Sequence, residues 1–151
     1  MKVYIGKYKK NGDRKIDVHI DDFDTWNVDS TLALIIAPLL RKFKEAKASA
    51  PKVENSDVPE HLHSNSENGD DLDPHWFARW SYVLDEMIFA FESYQTDWED
   101  QFWFSNENVS KPGGVSEYLN MTFDREGFTV YQSRIANGFR LFGKYYGNLW
   151  S

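Results

Sequence analysis

The sequence predicts an α+β fold: a mainly helical single domain with an N-terminal β-hairpin packed on a bundle of about three helices. Three observations predict it. Asn11-Gly12 sits between two strand-like runs, residues 74–94 carry apolar groups at helical spacing, and residues 126–150 repeat that spacing. At 151 residues the chain is long enough for one real core.

Residues 2–20 read as the hairpin. Asn-Gly favours a type I′ turn, which needs φ > 0 at both central positions. Pairing Lys10 with Asp13 places Ile5 opposite Val18, Val3 opposite Ile20 and Lys7 opposite Ile16. One face then holds Val3, Ile5, Ile16, Val18 and Ile20 and is expected to face the core. The other face carries Tyr4, Tyr8, Lys15, Asp17 and His19. An isolated two-stranded hairpin is marginal in water, so it is expected to pack on helices.

The first helix is expected over about residues 30–47, capped by Asn27 or Asp29. Leu32, Ile35, Ile36, Leu39, Leu40 and Phe43 form its apolar face, and Pro38 removes one backbone bond inside it. Residues 48–73 then break the pattern. Between 53 and 73 lie Glu54, Asp57, Glu60, Glu67, Asp70, Asp71 and Asp73, with no Lys or Arg. This stretch reads as an acidic flexible loop, dispensable for folding.

The central helix is the stretch from Pro74 to Tyr94, with Asp73 as N-cap and Pro74 at the first position. Trp76, Trp80, Val83, Met87, Ala90 and Tyr94 form one stripe. Phe77, Leu84 and Phe91 lie beside it, and Tyr82, Ile88 and Phe89 lie opposite. A helix apolar on nearly all sides is buried on several. Residues 95–127 give no clear pattern. The last helix, about 126–150, carries Phe128, Tyr131, Ile135, Gly138, Phe142, Tyr145 and Leu149 at gaps of three and four. Gly138 is expected to mark a close approach to the central helix, against Trp80, Val83 or Met87.

Composition narrows function. The net charge is −7, and the seven acids of residues 53–73 account for it, since the remaining acids and bases balance. That argues against a whole-surface DNA footprint, so no direct DNA binding is expected. The chain has no cysteine, which removes disulfides and thiolate chemistry. No run approaches the ~20 apolar residues of a membrane span. The start of the chain lacks a signal-peptide run, and a soluble, cytoplasmic protein is expected. No phosphate-binding glycine loop, His-Glu-x-x-His or Gly-x-Ser-x-Gly is present. No catalytic residue, metal or cofactor is assigned.

Three sites remain. Asp85 and Glu86 interrupt an apolar helix. They could serve a metal or acid–base chemistry, but the favoured reading is an ion pair with Arg134, Arg140 or Lys144 of the last helix. His61, His63 and His75 are metal-ligand types in a loop without a fixed frame, and read as a solvated linker. Tyr4, Tyr8, Lys15 and His19 mix rings with cations, a candidate surface for a ligand or partner.

Three stretches carry a resemblance: residues 24–36 (DTWNVDSTLALII), residues 80–92 (WSYVLDEMIFAFE) and residues 134–150 (RIANGFRLFGKYYGNLW). Together they resemble a family of small uncharacterised proteins encoded by large tailed bacteriophages. The resemblance implies the cytoplasm of an infected bacterial host as the setting, and carries over no catalytic residue. The expected function is a non-catalytic protein that binds a host protein, with inhibition of a host defence as one outcome. Alternatives are a protein that sequesters a small nucleotide signal, a metal-dependent hydrolase using Asp85 and Glu86, and a minor virion component. A homo-oligomer is compatible with each.

Overall fold

A computed structural model describes residues 1–46, 48–64, 73–105 and 121–150. The fold is α+β and mainly helical. The hairpin strands are β1, Lys2–Tyr8, and β2, Arg14–His19. Among the described residues three α-helices follow: α1, Val28–Ala46; α2, Trp76–Ser93; and α3, Arg125–Tyr145. A second antiparallel pair, β3 (Trp103–Ser105) and β4 (Met121–Phe123), lies between α2 and α3 in the chain.

The hairpin turn is not the expected two-residue one. Lys9 N–H donates to Asp13 O at 2.6 Å, and Gly12 N–H donates to Lys9 O at 3.0 Å. Within the turn only Gly12 has positive φ, at 86°, so Asn11 is not left-handed and the turn is not type I′. The loop is three residues long, a type I turn ended by a left-handed glycine. Asn11 stiffens it by accepting from Asp13 N–H at 3.2 Å. The register changes with it. Val3 faces Val18 and Ile5 faces Ile16, so the expected pairing of Ile5 with Val18 is wrong by two residues. Between Ile5 and Tyr8 the register shifts, because Gly6 and Lys7 together oppose Lys15. Tyr8 therefore pairs with Arg14 and, by strand alternation, falls on the opposite face from Tyr4 and Lys15.

The expected core face of the hairpin is not buried. Val3, Ile5, Ile16 and Val18 do share a face, yet they are 42%, 52%, 64% and 51% exposed. Gly12→Val should therefore act locally. A β-branched residue in the left-handed region costs at least ~1–2 kcal/mol. Hydrogen exchange at the hairpin amides should speed up while the melting temperature of the domain hardly changes. A large fall in that temperature would show that hairpin and helices unfold together.

The core lies along α2. Trp80, Val83, Leu84, Met87 and Ala90 are fully buried, and Ile88 nearly so. The helix starts at Trp76, later than expected, with His75 at the cap position and Asp73 accepting from His75 N–H at 2.9 Å. α1 starts earlier than expected, with Thr31 N–H donating to Asn27 O at 3.0 Å. It docks on α2 through its small residues Ala33 and Ala37 and through Leu40, while Leu32, Leu34 and Leu39 stay exposed. Of its expected core face, Leu40 is buried and Ile36 and Phe43 pack against the core, so the expectation fails at Leu32 and Leu39. α3 runs antiparallel to α2: Trp80 meets Tyr145 edge-on at 5.7 Å, and Ser93 Oγ lies 3.2 Å from the Tyr131 hydroxyl. Phe91 packs edge-on against Phe139 and Phe142, at 5.0 and 4.9 Å.

Residues 49–64 overturn the linker expectation for their part of the chain. Val53 and Val58 are buried in the helical core, and Asp57 is buried with them. Trp76 Nε1 donates to Ala50 O at 3.0 Å, and the buried Arg79 donates to Leu62 O at 3.1 Å. Residues 65–72 of the same expected loop lie outside the described residues.

Candidate functional site

The carboxylates offered for chemistry are held by cations. Glu86 projects from the buried side of α2, with 7% of its side chain exposed. Arg134 of α3 reaches it with Nε 3.0 Å from both carboxylate oxygens and Nη2 2.7 Å from one. Its guanidinium also lies over the Phe89 ring, 3.7 Å from the centroid. One helical turn on, Gly138 sits against the Glu86 backbone and the Ala90 methyl. The close approach is therefore at Glu86 and Ala90, not at Trp80, Val83 or Met87. The glycine lets the helices approach closely enough for Arg134 to grip Glu86. Asp85 points elsewhere and bonds Lys44 of α1 at 2.5 Å, across an exposed surface.

Arg140 and Lys144 go to a third carboxylate that sequence reasoning had placed in a linker. Asp57, 1% exposed at its side chain, receives Arg140 Nη2 at 2.8 Å and Lys144 Nζ at 2.6 Å. The Tyr145 hydroxyl donates to it at 2.7 Å. Burial pushes the Asp57 carboxyl up, but the bonds from Lys144, Tyr145 and Arg140 outweigh it and hold it below its ordinary value. Asp57 and Glu54 push the Lys144 ammonium well above its own. Burial and the bond to Asp57 raise the Tyr145 phenol. Each group is fixed in its usual charge state at neutral pH. General acid–base work needs groups poised near the working pH. This network fastens residues 54–57 to α3. The Val53 and Val58 flanks of Asp57 were the available signal that the segment packs.

The histidines do not converge. His63 Nε2 sits 3.1 Å from Val58 O, and His61 and His75 are exposed. Among the described residues no group of three or more His, Cys, Asp or Glu is placed to hold a metal. No helix among them is long and apolar enough to cross a membrane.

The hairpin surface is only partly brought together. Lys15 Nζ lies 5.8 Å from the Tyr4 ring centroid, whereas Tyr8 is across the ribbon under Arg14 at 4.8 Å. His19 pairs with Asp21 at 3.0 Å. What sequence reasoning missed is the apolar exposure beside them. Of nineteen exposed large hydrophobics among the described residues, thirteen fall between Val3 and Leu39, which places the sticky surface on the hairpin and α1. Phe23 and Trp26, in and just after the 3-10 turn Asp22–Thr25, belong to it.

No family model, no curated protein and no solved structure matches the chain.

Proposed function

We propose that the chain is a non-catalytic phage accessory protein that binds a host protein during infection and so inhibits a host defence or another host process. The observation that carries the binding reading is the open apolar face of the hairpin, Val3, Ile5, Ile16 and Val18. Exposed apolar patches of this kind mark protein interaction sites. Cross-strand aliphatic pairs offer a flat centre, and polar groups at the turn offer a rim, the usual anatomy of a protein interface. The locked Glu86 and Asp57 networks support a non-catalytic role, because their charges are already neutralised by Arg134, Arg140 and Lys144. The phage setting rests on the resemblance of residues 24–36, 80–92 and 134–150.

The test is partner capture. The tagged chain is expected to retain a defined host protein from a bacterial lysate, identified by mass spectrometry. Ile5→Ser/Ile16→Ser should reduce that capture at least tenfold with an unchanged melting temperature, since both side chains are already exposed. Equal capture by the variant would remove the hairpin face from the reading. Capture of nothing specific by the unaltered chain would remove the reading itself.

A further inference from the structure

We propose that the lysine-bearing face and the tip of the hairpin bind the phosphate backbone of a nucleic acid. Residues 1–20 contain Lys2, Lys7, Lys9, Lys10, Arg14 and Lys15 against Asp13 and Asp17, a net of +4 in a chain of −7. The near-balance of charge outside residues 53–73 excludes a whole-surface footprint but hides this local one.

Ion pairing separates the hairpin from the rest of the molecule. Outside it, nine Lys and Arg are described, and seven pair with a carboxylate: Arg41, Lys42, Lys44, Arg79, Arg134, Arg140 and Lys144. Among the described residues, none of the six hairpin cations does so. Arg14 and Lys15 lie over tyrosine rings instead, which leaves their charge uncancelled. Crowding like charges on a two-stranded ribbon is unfavourable by itself. A polyanion reverses the sign of that effect.

The bulge sorts the charges by face. Strand alternation puts Lys2, Tyr4, Lys15 and His19 on one face, with Gly6 and Lys7 opposite Lys15 and with Asp13 and Asp17 as its acids. Lys9 and Lys10 extend this face at the tip. The aliphatic residues are on the other face, so the cationic face does not need the protein partner proposed above. From Lys2 to Lys9 the cations span roughly 20 Å at ~3.3 Å per residue. That length matches a run of several phosphates rather than one phosphate group. A two-stranded ribbon also fits the major groove of a duplex. Tyr4, 58% exposed beside Lys15, adds a ring on which a base can stack in a single strand. The acidic remainder of the chain is screened beyond ~8 Å at physiological salt.

The experiment is fluorescence anisotropy with a labelled 20-nucleotide oligo-dT and a labelled 20-base-pair duplex, each titrated over salt concentration. The full chain should bind at low salt and weaken steeply as salt rises, by ~0.9 in log K per log salt for each duplex phosphate contacted. Lys9→Glu/Lys10→Glu/Lys15→Glu should lower affinity at least tenfold and flatten the salt slope by two to three contacts' worth, with unchanged melting. Ile5→Ser/Ile16→Ser should bind nucleic acid normally. Preference for either strand form supports the proposal and names the form. Poly-L-glutamate competing as well as nucleic acid at equal charge would overturn it in favour of an acidic protein. Absence of salt-dependent binding, or a lysine variant that binds as tightly as the unaltered chain, would also overturn it.

Discussion

Gly138→Ala should destabilise the domain even though alanine is the better helix former. In an open helical position the exchange gains up to ~1 kcal/mol. At Gly138 the added methyl would overlap the carbonyl oxygen of Glu86 and would lie 2.6 Å from the Ala90 methyl. The first of these is backbone inside a helix and cannot rotate away. α2 and α3 must therefore separate, which loosens Trp80 on Tyr145 and draws Arg134 off Glu86. Overpacking of this kind costs ~1–3 kcal/mol, and lost contacts along the seam bring the expected net loss to about 2–4 kcal/mol. For a chain of this length the melting temperature should fall by roughly 5–15 °C. Gly143 supplies the control on the same helix, because an added methyl there meets nothing within 4 Å. Gly143→Ala should hold or raise the melting temperature. Equal behaviour of the two variants would show that the α2–α3 approach is not limited by Gly138.

The same residues show which parts of the fold a sequence can disclose. Periodicity located α2 and α3, and it identified Gly138 because a lone glycine in a bulky stripe has few other uses. It also paired Glu86 with the last helix, since a carboxylate at the edge of a buried stripe needs a cation. Turn chemistry was less decisive. A two-residue type I′ turn and a three-residue turn ending in left-handed glycine both call for Gly12, so Asn11-Gly12 could not choose the register. The bulge at Gly6 and Lys7 leaves no period to read, and it moved Tyr8 to the other face. α1 misled for a different reason. Its stripe of large residues brings Leu40, Ile36 and Phe43 to the core, but close packing on α2 buries Ala33 and Ala37 and leaves Leu32 and Leu39 exposed. Charge counting misled in two places. Summing acids over residues 53–73 hid the burial of Asp57, and summing the whole chain hid the unpaired cations of the hairpin.

Asp57→Ala should be among the most damaging changes in the chain, although Asp57 lies in a segment without helix or strand periodicity. The carboxylate gathers Arg140, Lys144 and the Tyr145 hydroxyl, and it holds Val53 and Val58 against the helices. Truncating one partner of a buried pair costs ~3–5 kcal/mol. Arg140 and Lys144 are part-exposed and can turn to water, so the lower end, about 3 kcal/mol, is expected. Hydrogen exchange at residues 53–58 should rise in parallel. Asp57→Asn separates charge from shape, and pH reads the difference. The folded carboxyl lies below the ordinary value of 3.8, so its stabilisation is complete above 3.8 and is lost as pH falls through the folded value. Lys144 lies above its ordinary 10.5, so its contribution is complete below 10.5 and is lost as pH rises through the folded value. The stability gap between the unaltered chain and Asp57→Asn should therefore be flat from about pH 4 to 10 and shrink on both sides. A gap that stays constant into strong acid would mean that the Asp57 charge does not hold the segment. An unchanged melting temperature in Asp57→Ala would return residues 49–64 to the status of a linker.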